Sequence, residues 1–177
     1  MKKGITLLMI IYLVGMLMCG CENKEKKEET KPLTIYEQLT IKETPLSDDD
    51  SKVIENGINN WVKGFLAVNS SARDKELADK ILYQSVTDEA QREALKGDRD
   101  AFYNSGVVVA DEVITVLTDT KKAEYDKENL GVVVCETKIK GTVSGTTFEK
   151  KYTMRMVVKR DEGETVTVYE ISDITWQ

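Results

Sequence analysis

The hydrophobic period of this chain changes once, at Asn104-Ser105-Gly106, and that change limits the folds open to it. Before the break, apolar residues recur every three or four positions, the repeat of an amphipathic helix. After it they recur every second position, the repeat of a strand with one buried face. Helices first and strands second make an α+β domain, in which the helices lay their apolar stripes on one face of an antiparallel sheet. About 130 residues from Ser47 onward suffice for a single core.

The helical half reads as three segments. Ser47 followed by Asp48-Asp49-Asp50 is a helix start: the hydroxyl can cap free N–H groups, and the acids face the positive end of the helix dipole. Val53, Ile54, Ile58, Trp61, Val62, Phe65 and Leu66 then form one stripe on a helix ending near Asn69. A second helix is expected from Ala72 to Leu82. A third, capped by Thr87 with Asp88 and Glu89, carries Ala90, Ala94 and Leu95, stalls near Gly97 and resumes toward Phe102 and Tyr103.

The strand half predicts Val107 to Thr118, Leu130 to Val143, Thr147 to Arg160 and Thr165 to Thr175, with hairpin turns at Ser144-Gly145 and Glu162-Gly163. Phe148, Tyr152, Met154, Met156 and Val158 fall on one face of the third strand; Glu149, Lys151, Thr153, Arg155 and Lys159 fall on the other. Val133, Cys135 and Ile139 share the inward parity, so Cys135 reads as a small buried hydrophobe. In the last strand the apolar parity shifts from Val166 and Val168 to Tyr169 and Ile171, which asks for a β-bulge near Tyr169. The expected fold is three N-terminal helices on a curved four-stranded antiparallel sheet.

The first residues carry an address. Lys2 and Lys3 precede an apolar run from Ile5 to Met18, and Gly20 stands directly before Cys21. That order is a secretory signal, too short to cross a membrane as a helix. It resembles the lipobox of bacterial lipoproteins, which implies that residues 1–20 are removed and Cys21 is lipidated. More than one acyl chain on that cysteine anchors stably. Glu22 to Lys31 has four acids, four bases and no apolar residue, the composition of a tether. Pro32 to Pro45 holds Leu33, Ile35, Leu39 and Ile41, and two readings stay open for it: a short edge strand, or a strap laid on the domain. The expected division is signal 1–20, tether and strap 21–45, and one domain over 46–177.

Charge and composition exclude several classes. Removing residues 1–20 takes away Lys2 and Lys3 and no acid, which leaves 23 basic and 31 acidic residues, a net charge of −8. Such a domain forgoes the counterion release that drives nucleic-acid binding, so no direct nucleic-acid partner is expected. There is no histidine, which removes Ser-His-Asp and Cys-His catalysis and the usual zinc sites. Asp48-Asp49-Asp50 and Asp161-Glu162-Gly163-Glu164 lack the alternating ligands and distal glutamate of a calcium loop and read as a helix cap and a turn. No phosphate-binding glycine loop is present. Neither a metal nor a cofactor is expected.

The Ser47-led helix with Trp61 and Phe65, the break at Asn104-Ser105-Gly106 and the two hairpins resemble the cystatin-like, or nuclear-transport-factor-two-like, α+β roll. With an export signal in front, the layout resembles the assembly-factor subunit of type IV secretion systems, of the kind found among small transfer proteins of Gram-positive conjugative plasmids. The resemblance implies partners among membrane or secretion-complex proteins, and self-association. Family members usually enter the membrane through a helix, so a lipid anchor would be a departure.

The roll also hosts enzymes that use an acid and a tyrosine between helix and sheet, which implies a candidate pocket of Asp111, Tyr152 and Tyr169. The plainer reading makes Asp111-Glu112 a bend with both acids in water. Trp176, next to the chain end, either pins the last strand or meets a partner. Three functions follow: a surface-anchored assembly module for conjugative secretion and no enzyme, a small-molecule or lyase/isomerase-like pocket protein, or an immunity or exclusion lipoprotein.

Overall fold

The computed structural model describes residues 32–66, 72–104 and 108–177. The signal, Cys21 and the charged tether lie outside the described residues. Leu33–Gln177 forms one compact unit, so the strap belongs to the same body as the domain that follows it.

Among the described residues the fold is α+β, a curled five-stranded antiparallel sheet of half-barrel form with four helices. In chain order the elements are α1 (Ile35–Gln38), β1 (Thr40–Ile41), α2 (Asp48–Leu66), α3 (Ala72–Ser85), α4 (Glu89–Asn104), β2 (Val108–Tyr125), β3 (Glu128–Val143), β4 (Thr146–Arg160) and β5 (Val166–Trp176). The strands pair in sequence order from β1 to β5. The expectation of three helices and four strands is corrected by one of each, both from the strap.

The three long helices form where the apolar period places them. Ser47 caps α2, its hydroxyl accepting from the Asp50 N–H at 3.1 Å. Within the expected capping group Thr87-Asp88-Glu89, it is Asp88 that caps α4, accepting from the Gln91 N–H at 2.9 Å. The expected stall at Gly97 does not occur. A mid-helix glycine costs about 1 kcal/mol, and the residues after it are tied down: Asp98 to β4 and Arg99 to α3.

The front face of the sheet and the helices share the main core, built from Ile54, Ile58, Phe65, Leu82, Leu95, Val133, Met154, Met156 and Ile171 among others. Cys135 lies in it, fully buried, as its strand parity predicts. Helix α2 reaches strands at both sides of the sheet: Glu55 accepts the Leu117 N–H of β2 at 3.2 Å, and Gly57 lies against Val166 of β5. Any side chain at Gly57 would put a Cβ 2.4 Å from that of Val166.

Four register shifts shape the sheet, one of them between Thr153 and Arg155 of β4, which pair with Thr175 and Ser172. Val157 pairs with Glu170 and Val158 with Val168, leaving Tyr169 as the extra residue, at the expected place. In β2 the register shifts at Ala110/Glu112 and at Leu117/Asp119. The second shift hides the rest of the strand, because Asp119 to Lys122 continues it without an apolar alternation. The β2–β3 turn at Asp126-Lys127 is also silent in the sequence: both residues have positive φ, 47° and 68°, with neither glycine nor asparagine to announce it. The predicted end of this strand at Thr118 is therefore seven residues short of Tyr125.

The strap forms the short edge strand, but Ile35–Gln38 before it is a helical turn rather than extended chain. Thr34 and Glu37 close a capping box on α1, and Thr40–Ile41 then pairs with Ala123 and Glu124 at the edge of β2. Ile35, Tyr36, Leu39 and Ile41 cover a second, smaller core on the back face, formed by Ala123, Leu130, Val132 and Val157.

Candidate functional site

The residues expected to form a pocket are not brought together. Asp111 is the extra residue of the first β2 bulge and is exposed, although Val113 beyond it is buried. Tyr152 faces the front, in the main core. Tyr169 lies on the back face, its hydroxyl donating to Glu128 Oε2 at 2.8 Å. That bond, then the Lys159 ammonium, holds the Glu128 carboxyl below its ordinary value. The pocket reading is thus corrected by the bulge, which sends Asp111 to solvent, and by strand parity, which parts the tyrosines.

The partner of Tyr152 is Asp98 on α4. The hydroxyl donates to Asp98 Oδ2 at 3.1 Å, and Lys150 Nζ donates to both Asp98 oxygens at 2.7 and 2.6 Å. Burial, reinforced by the Asp98 carboxylate, pushes the Tyr152 hydroxyl far above its ordinary value. Lys150 also lies 4.9 Å from the centre of the Phe102 ring, which meets Phe148 edge to face at 4.5 Å. An acid, an amine and a phenol converge here, with Asp98 bonded to both of the others. The gap beside Tyr152, bounded by Trp61, Phe65, Leu95 and Met154, does not admit a water molecule. The cluster fastens α4 to β4. Arg99 does the same toward α3: it is 1% exposed, paired with Asp79 and Asp100, and its guanidinium carbon lies 5.5 Å from the centre of the Phe65 ring.

Surface clefts among the described residues are larger than the gap beside Tyr152. One, of about 450 Å³, is lined by Asp111, Lys140, Gly141, Thr147, Phe148 and Glu149. Another, of about 380 Å³, opens at the start of α2 between Lys42, Leu46, Asp50, Lys122, Leu130 and Arg160. Its charges are largely spent: Arg160 holds Asp50 at 2.8 Å and Lys42 holds Glu124 at 3.1 Å. The Ser47 hydroxyl and then Arg160 keep the Asp50 carboxyl below its ordinary value. A third, of about 440 Å³, runs between α2, α3 and β5, past Gly57, Asn60, Trp61, Gln84, Thr165 and Thr167. Its lining is neutral apart from Glu164. Neither of these last two clefts sets a nucleophile beside a base. Among the described residues no group of histidine, cysteine and acidic side chains could hold a metal ion. Trp176 is half-buried against the main core, the pinning reading of that residue.

What remains open is the back face beyond the strap. Ile114 and Val116 stand next to one another on β2, 47% and 54% exposed. Around them lies a lattice of cross-strand charge pairs: Lys140 with Glu112 and Glu149, each at 4.0 Å, Lys151 with Glu136, and Arg155 with Asp173 at 2.6 Å. Exposed ion pairs of this kind contribute little to stability. A small apolar patch rimmed by paired charges has the make-up of a protein contact surface. Val113, Ile114, Val116 and Leu117 signal it, with Thr115 alone polar between them, since a strand with one wet face should not carry apolar residues on both parities. Among the described residues no helix is long and apolar enough to cross a membrane. Compared with protein-family models, curated proteins and solved structures, the chain matches none of them.

Proposed function

We propose that the chain is an extracytoplasmic lipoprotein, anchored to the cell membrane through Cys21, whose domain is a protein–protein interaction module of a conjugative type IV secretion complex. On this reading the domain is a roll of the cystatin-like, or nuclear-transport-factor-two-like, kind. The observation that carries it is the open back face, with Ile114 and Val116 exposed side by side inside a rim of paired charges. The net charge of −8 after signal removal favours partners with basic faces over nucleic acid. The reading assigns the chain no chemical reaction.

The test is genetic. Deleting the gene in a cell that carries the transfer system should lower transfer frequency, and the intact chain should restore it while Cys21→Ala restores it poorly. Unchanged transfer after deletion would remove the proposal.

A further inference from the structure

The strap is the part of this molecule that its own sheet treats as a ligand. Its seat is a core of four residues, Ala123, Leu130, Val132 and Val157, separate from the main core behind the sheet. The strand part of the contact is short: two register pairs, Thr40 with Glu124 and Ile41 with Ala123, then backbone bonds from Lys42 N–H to the Lys122 carbonyl and from Lys122 N–H to the Thr44 carbonyl, each 2.8 Å. Two exposed ion pairs agree with this register: Lys42 meets Glu124 at 3.1 Å, and Glu43 meets Lys121 at 3.2 Å. Deeper in the seat, Glu170 is 2% exposed and accepts the Tyr36 N–H at 3.1 Å, while Arg155 lies 4.8 Å from the centre of the Tyr36 ring.

The hinge is shorter still. Thr44 belongs to the strap, and Leu46 is already held by the domain, its N–H bonded to Thr120 Oγ1 at 3.3 Å and its side chain against Gly131. Pro45 alone separates them, and proline fixes its own φ. Short, stiff hinges favour exchange of an element between copies, because every contact of the element is kept in trans and only the hinge changes.

We propose that the Leu33–Thr44 strap exchanges between copies: the back-face seat of one chain takes the strap of a second, and the pair is held by two identical sets of strap contacts. Anchoring both copies in one membrane raises the concentration each strap meets. In that one respect the proposal rests on the anchored-module reading; the seat and the hinge do not depend on it.

The experiment uses the full chain in its native membranes. Two differently tagged copies are co-expressed, one with Ile41→Cys and one with Ala123→Cys, positions that face each other across the strand pair. A mild oxidant is added. The expected result is a disulfide-linked dimer carrying both tags, reduced several-fold when four glycine and serine residues are inserted between Thr44 and Pro45. A single chain carrying both cysteines serves as reference and should close on itself in the lengthened form. A reference chain that closes while the mixed pair stays monomeric overturns the exchange, as does a mixed dimer indifferent to hinge length. A reference that does not close overturns the strap's seat and the exchange with it. Membrane fractionation of the same cells is read separately: loss of the chain from the membrane fraction counts against the anchor, and the mixed dimer alone decides the exchange.

Discussion

Gly57 shows how one residue sets the distance between α2 and β5. Alanine there is a better helix former by roughly 1 kcal/mol, yet its Cβ would lie 2.4 Å from Val166 Cβ. Overpacking of that kind costs about 1–3 kcal/mol. Gly57→Ala should therefore lower the denaturant midpoint despite its propensity, and a raised midpoint would mean that α2 is not held so close. Cys135 makes a prediction in pH. Burial pushes its thiol from the ordinary 9.0 up to about 12. Below pH 9 folded and unfolded chains both keep this proton; above it the unfolded chain releases it and the folded one does not. Stability should thus be intact up to about pH 9 and fall on the way to 12, by about 1.4 kcal/mol per pH unit for this one group. Cys135→Ala should flatten that limb relative to the parent chain in denaturant titrations at stepped pH. Parallel curves would show that the thiol ionises freely in the fold.

At the scale of elements, the strap and the main domain should differ in how they open. The strap rests on a four-residue core and the front strands on the main one. Local opening should release the Lys42 amide roughly a hundredfold faster than the amides of Val133 and Met156, which wait for global unfolding. Hydrogen exchange followed residue by residue would measure this, and equal rates would merge the strap with the core. The helices, the hairpins at Ser144-Gly145 and Glu162-Gly163 and the bulge at Tyr169 were legible in the sequence because local apolar period and turn glycines encode them. The second half of β2 was not, since a bulge and a turn without glycine conceal it. The polar cluster was not legible either: Asp98 and Lys150 lie 52 residues apart, and no local spacing announces a pair made by the tertiary fold. Ile114 and Val116 were visible as residues, but which of them face solvent depends on the two β2 bulges.

For the whole molecule, placement is the proposed function: a compact domain behind a charged tether, with its three long helices on one side and, beyond the strap, an open sheet face on the other. Asp98, Lys150 and Tyr152 are bonded to one another and fasten α4 to β4. A contact surface requires only that Ile114 and Val116 meet a partner. A photo-reactive residue placed at Ile114 or Val116, and for comparison at exposed Leu77 on α3, asks this in living cells that carry the transfer system. The proposal predicts a discrete adduct with a membrane or secretion protein from the two sheet positions and none from Leu77. Adducts from Leu77 alone, or from no position, would contradict it.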